Sequence, residues 1–220
     1  MKKSRLVIIL LCVVMQFSLT GCAEMILSAL TDGEEYVISG VENYENGNYY
    51  AAIEDLKKAE ELGLRESKIG DVYGVIGHCY LELDELDTAF VYYEKSLETD
   101  PDSVVYLTNI AIAYRHDGDY EKAMKCYLEA YEIDPDYSEL NSSIGALYVL
   151  QGEPEKAISY LERAIELDPT IGTSYGNMAM AYALLGDFVT ARDYLKTSIL
   201  YGYDNADVVK ELIEEMEGLE

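Results

Sequence analysis

The stretch GDYEKAMKCYLEAYEIDP, residues 118–135, recurs in the same pattern as GEPEKAISYLERAIELDP, residues 152–169. The two stretches start 34 residues apart, and each runs from a glycine to an Asp-Pro pair. Both place alanine at the sixth and thirteenth positions. Recurrence at a fixed period of this length is typical of solenoid proteins, in which each repeat is one small unit of secondary structure. The chain is therefore predicted to be an array of repeats.

Small residues extend this period along most of the chain. Alanines recur at intervals of 37, 34, 34 and 34 residues: Ala52, Ala89, Ala123, Ala157 and Ala191. Twelve residues before each alanine stands a second small residue: Gly40, Gly77, Ala111, Gly145 and Ala179. Seven residues after each stands a third: Ala59, Ser96, Ala130, Ala164 and Ser198. Since helices approach closely only where the side chains between them are small, the pattern predicts five tightly packed helix pairs.

Each unit also carries an apolar stripe and residues that favour turns or end helices. Places within a unit are counted so that the turn residue between its two helices is the fifteenth. Tyrosine holds the eleventh place in four units and an apolar residue holds the twenty-fourth in all five, which fits the buried face of amphipathic helices. The fifteenth place favours a residue that tolerates positive φ, and four units have glycine there: Gly47, Gly118, Gly152 and Gly186. The second unit has Asp84 instead. Asp-Pro pairs at 100–101, 134–135 and 168–169 end the second helices, because proline lacks an amide donor.

The pattern resembles the tetratricopeptide repeat family, a 34-residue helix–turn–helix repeat. The resemblance covers residues 33–205 as five units: 33–66, 70–103, 104–137, 138–171 and 172–205. A three-residue insertion, 67–69, separates the first two units, and Leu64 and Tyr203 replace the usual proline in the terminal units. The resemblance implies an all-α fold, a right-handed α-solenoid of five helical hairpins.

Residues 206–220 are predicted to form one further helix. Val208, Val209, Leu212, Ile213 and Met216 share one stripe of this helix. A solenoid needs a cover over the apolar face of its last repeat, so the stripe predicts a capping helix. A dimerisation helix is the alternative.

The beginning of the chain has the features of an export signal. Lys2, Lys3 and Arg5 precede an apolar run, residues 6–19, that is too short to span a bilayer comfortably. Residues 19–22, LTGC, then resemble a bacterial lipobox. That resemblance implies cleavage after residue 21, a diacylglyceryl group on Cys22, a short linker over residues 22–32, and a repeat domain outside the cytoplasm on a cell membrane or outer membrane. An uncleaved signal anchor and a secreted protein with an incidental Cys22 are the alternatives.

The charge balance is strongly acidic, with 16 Lys and Arg residues against 42 Asp and Glu, a net charge of −26. The predicted signal holds three basic and no acidic residues, so its removal would leave −29. Such a surface repels nucleic acid and anionic lipid. The acidic residues either solvate the outer helix faces or attract a basic partner or cations.

Nothing in the sequence indicates catalysis, a cofactor or a metal. There is no phosphate-binding loop, nucleophile elbow or EF-hand pattern, and the chain has two histidines, His78 and His116, without ligand spacing. Cys79 and Cys126, which remain after the signal and the lipidation site, are expected to be buried thiols, with a disulfide outside the cytoplasm as the less favoured alternative. We therefore expect a protein that is not an enzyme.

The family resemblance implies where a ligand would bind. In this family the second, fifth, sixth, ninth, twelfth and thirteenth places of the first helices line a concave groove for peptides. The matching residues in this sequence include Val37, Tyr44, Val75, His78, Asn109, Ile112, Arg115, His116, Ser143, Asn177 and Met180. Some members clamp a peptide carboxylate with lysine and asparagine. The matching lysines are absent here, so the resemblance implies a mostly apolar groove for an apolar peptide segment.

Two functions are consistent with these features. The first is a membrane-tethered adaptor whose groove recruits another protein of the cell envelope. The second is a lipid-anchored acidic binder of basic ligands or cations through its outer face. A simple test distinguishes the two functions. Binding in the groove should be lost when a charge is introduced at Ile112 or Met180 and should survive moderate salt. Binding to the acidic face should weaken as the salt concentration rises.

Overall fold

A computed structural model describes residues 33–64 and 66–219, and all regular secondary structure in these residues is helical. The predicted signal peptide, the lipobox with Cys22 and the linker lie outside the described residues. The described chain forms two compact units, one that ends at Thr99 and one that begins at Asp100. No described helix is long and apolar enough to cross a membrane.

The first unit contains two helical hairpins. Its helices are α1 over residues 33–45, α2 Tyr49–Leu62, α3 Glu66–Glu82 and α4 Leu86–Thr99. Helix α3 packs against α2 on one side and against α4 on the other. The core of the first hairpin and its neighbour includes Ala52, Leu56, Ile76 and Cys79, all with no exposed surface.

The second unit contains three hairpins and a terminal helix. Its helices are α5 Val104–His116, α6 Tyr120–Ile133, α7 Ser138–Leu150, α8 Pro154–Leu167, α9 Gly172–Leu184, α10 Phe188–Leu200 and α11 Ala206–Gly218. Helix α7 contacts α5 on one side and α9 on the other, so the three first helices of this unit lie side by side. This arrangement brings residues from α5, α7 and α9 to one surface. The predicted all-helical class and the packed hairpins are confirmed within each unit.

The turns confirm the predicted backbone geometry. The four turn glycines have φ between 70° and 83°, and Asp84 adopts a φ of 60° at the equivalent position. The helices α5, α6 and α10 each begin on a side-chain cap, for example at Asp187, whose carboxylate accepts from the Thr190 amide. The geometry of each turn is thus determined by interactions within a few residues of it.

The small residues at the helix crossings are also explained by the structure. A Cβ atom built on Gly77 would lie 2.6 Å from Cε1 of Tyr93, and one built on Gly145 would lie 2.5 Å from Cγ of Leu161. Tyr93 and Leu161 have no exposed surface and hold the same place in their repeats. The absent Cβ therefore provides the space that the large buried side chain of the second helix fills.

Helix α11 packs against α9 and α10. Val209 and Ile213 are buried in a cluster with Ala179, Phe188 and Leu195. The stripe that the sequence placed on one face is only partly covered, because Val208 and Leu212 remain 56% and 41% exposed. The apolar side chains of α11 cover an arc wider than its contact with α9 and α10, so some of them stay exposed.

Candidate functional site

Four of the predicted groove residues meet at one cavity of the second unit. We call this space, of about 390 Å³, the second-unit cavity. Ile112 and Arg115 come from α5, Ser143 from α7 and Asn177 from α9. The remaining lining residues come from the same helices and from the segments that flank the last hairpin: Glu139, Ser142, Ala146, Ile171, Thr173, Tyr203 and Asn205.

A buried contact between α7 and α9 stabilises one side of the cavity. The Ser174 hydroxyl donates to the Ser142 hydroxyl at 2.9 Å, and both residues are buried. These residues stand at the third and fifth places of adjacent repeats, where two small polar side chains allow the helices to lie close. Ser143 and Asn177, each near one of these serines in the chain, are half-buried and face the cavity.

Arg115 is the cationic group of the second-unit cavity. The structure describes three arginines, and the other two form ion pairs: Arg163 with Asp136 at 2.6 Å and Arg192 with Glu217 at 2.6 Å. Arg115 makes no such contact with any described residue and is half-buried. In a chain with a net charge of −26, a guanidinium without a carboxylate partner is unusual.

The charge of Arg115 acts on two tyrosines. Burial raises the pKa of Tyr127, while the charge of Arg115 and the Ser143 hydroxyl act in the opposite direction. Burial also raises the pKa of Tyr203, against the opposing effects of Asn205 and Arg115. Although Ser143 lies close by, the fully buried Tyr127 hydroxyl has no hydrogen-bond partner of good geometry among the described residues.

Tyr203 shows what sequence reasoning missed. The sequence marked it only as a replacement for the usual proline, yet its side chain lines the second-unit cavity. A Cβ atom on Gly176 would lie 2.6 Å from Cδ1 of Tyr203, so the ring rests directly on the backbone of α9. The sequence did contain one signal for this contact, the glycine at the fifth place of the last unit. A residue without a Cβ atom leaves room for a large ring to pack against the helix backbone.

In the first unit, Val37 and Val75 line a smaller cavity of about 220 Å³, together with Val41, Leu56, Asp71 and Val72. Tyr44 and His78 lie beside each other, with ring centroids 6.3 Å apart. Burial, reinforced by Glu82, raises the pKa of Tyr44 to about 12. The hydroxyl of the buried Tyr93 is hydrogen-bonded to Nδ1 of His78 at 2.9 Å, so this histidine helps to satisfy a buried polar group.

The other predicted groove residues lie elsewhere in the second unit. Asn109 is half-buried and His116 is exposed, and neither lines the second-unit cavity. Met180 packs against the buried cluster that α9 and α10 form with α11. The structure therefore assembles Ile112, Arg115, Ser143 and Asn177 into one site and does not add these three.

Groups for covalent or metal chemistry are sparse in the part of the chain that the structure describes. No cluster of three His, Cys, Asp or Glu side chains among these residues could hold a metal ion. Cys79 and Cys126 are free thiols; Cys79 is buried as expected, whereas Cys126 is only half-buried. Burial raises the pKa of Cys79 to about 11, which keeps this thiol protonated and unreactive near neutral pH.

Comparison with known proteins agrees with the repeat geometry. Residues 70–136, 102–170 and 136–199 each match the sequence profile described as tetratricopeptide repeat. The uncharacterised protein ycf37 of Guillardia theta is 32% identical over 107 residues, which are 48% of this chain and 60% of that protein. The chain therefore spans less than two thirds of the length of this relative.

Solved structures show the same fold. The thermophilic tetratricopeptide protein TTC0263 of Thermus thermophilus aligns with a TM-score of 0.70 at 19% identity, over 84% of this chain and 98% of that one. The pilF protein of Pseudomonas aeruginosa aligns with a TM-score of 0.64 at 21% identity, over 86% and 88%. At these identities the likeness extends to the fold alone.

Proposed function

The chain belongs to the tetratricopeptide repeat family, and on that premise we propose that it is a lipid-anchored adaptor outside the cytoplasm that binds a partner protein in its second-unit cavity. The family supports a protein–protein interaction scaffold. The anchor, the location and the use of this cavity are the proposed parts. A peptide segment of another envelope protein is the ligand we expect.

One observation carries the proposal. Residues from three different helices, each predicted from its place in a repeat, line the same cavity of about 390 Å³. Ile112, Ala146 and Ile171 supply apolar wall, while Ser143 and Asn177 supply polar groups. A cavity with apolar walls and a few convergent polar groups is the usual form of a ligand site. An amide such as that of Asn177 can both donate to and accept from a peptide backbone.

The anchor is supported by the sequence of the first 22 residues. A basic segment, a short apolar run and small residues before Cys22 occur in the order that lipoprotein export requires. Two or more acyl chains at Cys22 would hold the protein stably on a membrane, whereas one chain holds only weakly. The net charge of −26 repels anionic lipid, so the acyl chains would have to supply the attachment.

Site-specific crosslinking in native membranes tests the proposal. A photo-reactive residue at Thr173, which is exposed at the second-unit cavity, should form an adduct with a partner that mass spectrometry identifies. The same residue at Val189, which is 68% exposed on α10 and does not line the cavity, is the matched control.

Ile112→Glu in the Thr173 probe should abolish the adduct, because it introduces a charge into the apolar part of the cavity wall. Moderate salt should leave the adduct in place, since recognition in a cavity is screened less than contact with a charged surface. An adduct that persists in the Ile112→Glu chain but disappears with salt would instead favour the acidic outer face as the working surface. Equal adducts from Thr173 and Val189 would contradict the proposed site.

A further inference from the structure

We infer that a stacked tyrosine pair of the second unit, Tyr182 and Tyr194, forms together with Glu162 a binding site for the ammonium group of a lysine residue in a partner protein. None of these three residues lines the second-unit cavity. The inference therefore goes beyond the proposed function and does not rest on it. Differences between the repeats support it.

The tyrosine pair comes from the two helices of the last hairpin, with Tyr182 on α9 and Tyr194 on α10. The ring centroids lie 5.4 Å apart with an angle of 11° between the ring planes. Both rings pack against a buried cluster that includes Leu161 and Met178, and both side chains are half-buried. The core thus holds the pair in place while part of each ring stays accessible, and an aromatic ring attracts a cation.

Earlier repeats of the chain place a lysine of their own over the equivalent tyrosine. The lysine nitrogen lies 5.2–5.4 Å from the ring centroid in three repeats: Lys57 over Tyr80, Lys122 over Tyr114 and Lys156 over Tyr148. These tyrosines hold the eleventh place of the second, third and fourth repeats, and Tyr182 holds the same place in the last. Within the described residues, no lysine or arginine lies over the ring of Tyr182.

Two positions in the repeat supply these lysines, and both differ at the last hairpin. Lys122 and Lys156 hold the nineteenth place of their own repeats, where the last repeat has Thr190. Lys57 holds the twenty-fifth place of the preceding repeat, and the corresponding residue of the fourth repeat is Glu162. The last tyrosine pair therefore lacks both sources of a resident cation.

Glu162 gives this site a negative charge at the position that corresponds to Lys57. It is exposed on α8, which packs against α9, and it forms no ion pair with another described residue. Burial raises the pKa of Tyr194, and Tyr182, Glu162 and Tyr175 act in the same direction, so the carboxylate is close enough to act on the ring pair. A cation bound there would meet both the rings and the carboxylate.

The chain holds its own lysines by the same combination of groups. Lys122 also pairs with Asp119, and Lys156 with Glu153. The Lys57 ammonium donates to the Tyr80 hydroxyl at 3.0 Å. An ammonium has three donors, enough for the Tyr182 hydroxyl and the Glu162 carboxylate together. The net charge of −26 also attracts a basic partner.

Nuclear magnetic resonance of the full chain with isotope-labelled tyrosine rings tests the inference, with Nα-acetyl-lysine methylamide as the probe. The ring signals of Tyr182 and Tyr194 should shift and saturate as the probe is added. The norleucine analogue, which lacks the charge, should leave them in place. Tyr148 and Tyr160, which also stack but already carry Lys156, are the internal control and should shift little.

Three variants complete the test. Glu162→Lys should weaken binding of the probe at least about tenfold, because it supplies a resident cation and replaces an attraction with a repulsion. Glu162→Gln removes only the charge and should weaken binding about two- to fivefold, the effect of one exposed ion pair. Glu132→Lys changes the net charge equally at an exposed position of α6, which contacts neither α9 nor α10, and should bind the probe like the parent chain.

The outcomes separate this inference from the proposed function. Equal shifts at both tyrosine pairs, or unchanged binding by Glu162→Lys, would overturn the site. Tighter binding of the arginine analogue would overturn the assignment to an ammonium in favour of a guanidinium. Tighter binding of short-chain phosphatidylethanolamine would assign the ammonium to a lipid and overturn the protein partner. The adduct from Thr173 tests the second-unit cavity separately, so either proposal can fail while the other stands.

Discussion

The hydroxyl of Ser39 donates a 2.7 Å hydrogen bond to the carboxylate of Asp55, which joins the two helices of the first hairpin. The Asn43 side chain donates to the same oxygen at 2.9 Å. In the last hairpin the equivalents of Asn43 and Asp55 are Tyr182 and Tyr194, whose rings stack at 5.4 Å. The first repeat thus has a polar network where the last repeat has an aromatic stack, which explains why Asn43 holds the eleventh place, where the other four repeats have tyrosine.

Replacing Asp55 with Ala should lower the free energy of unfolding by about 1–2 kcal/mol, because two half-buried donors lose their acceptor. Urea denaturation followed by circular dichroism measures the change. Glu54→Ala, at the exposed neighbouring position, should change the midpoint little. Adding Ser39→Ala and Asn43→Ala to the Asp55 variant should recover part of the loss, and a purely additive result would argue against the network.

Asp84→Gly should stabilise the second hairpin. Among the described residues, Asp84 is the one non-glycine residue with a positive φ. It holds the place that glycine holds in the other four repeats. Glycine avoids the left-handed strain but has a more flexible unfolded state, so we expect a net gain of about 0.5–1 kcal/mol. Thermal unfolding measures it.

The matched control for this change is Asp117→Gly, just before the next turn, where φ is −67° and glycine has no conformational advantage. This control should be neutral or destabilising. A similar gain from both substitutions would contradict the explanation based on φ.

Part of the stability should depend on pH below neutrality through the helix-capping carboxylates. The Thr190 hydroxyl, at 2.6 Å, and the Thr190 amide hold the pKa of Asp187 below its ordinary value. A carboxyl whose pKa is lower in the folded state stabilises the fold above its unfolded pKa, and this contribution is lost as pH falls through the folded pKa. Asp187→Asn keeps an acceptor for the cap but cannot titrate.

We therefore expect Asp187→Asn to lose less stability than the parent chain between about pH 6 and pH 3. Urea midpoints measured across this range test the expectation. Glu211→Gln, at an exposed position of α11, serves as the control and should follow the parent. Identical pH profiles for the Asp187 variant and the parent would contradict the linkage.

Cys22→Ser should leave the chain unprocessed or free of lipid, because the thioether to diacylglycerol needs the thiol. Metabolic labelling with a fatty acid and fractionation of membranes measure the outcome. Cys12→Ser, within the apolar run of the predicted signal, should be labelled like the parent. A processed, membrane-bound and labelled Cys22→Ser protein would show that this cysteine is not the anchor.

Local signals account for what could be predicted from the sequence. The Asp-Pro pairs, the turn glycines and the helical period act within a few residues, and the 34-residue recurrence repeats them. The small residue at Gly77 implied close contact with the second helix, and the structure places the ring of Tyr93 there. The places of Ile112, Ser143 and Asn177 were predictable because each follows from its position in a repeat.

The sequence by itself thus determined the all-helical repeat, its turns and the helix faces that meet, because each depends on interactions within one hairpin. Only the tertiary structure decided that, among the described residues, Arg115 has no carboxylate partner, that the Tyr127 hydroxyl is buried without a hydrogen-bond partner, and that Tyr203 lines the same cavity as Arg115. Arg115 and Tyr203 are far apart in the chain. Tyr203 lies between α10 and α11, and its place at the cavity depends on how this segment packs against α9, which the repeat period does not specify.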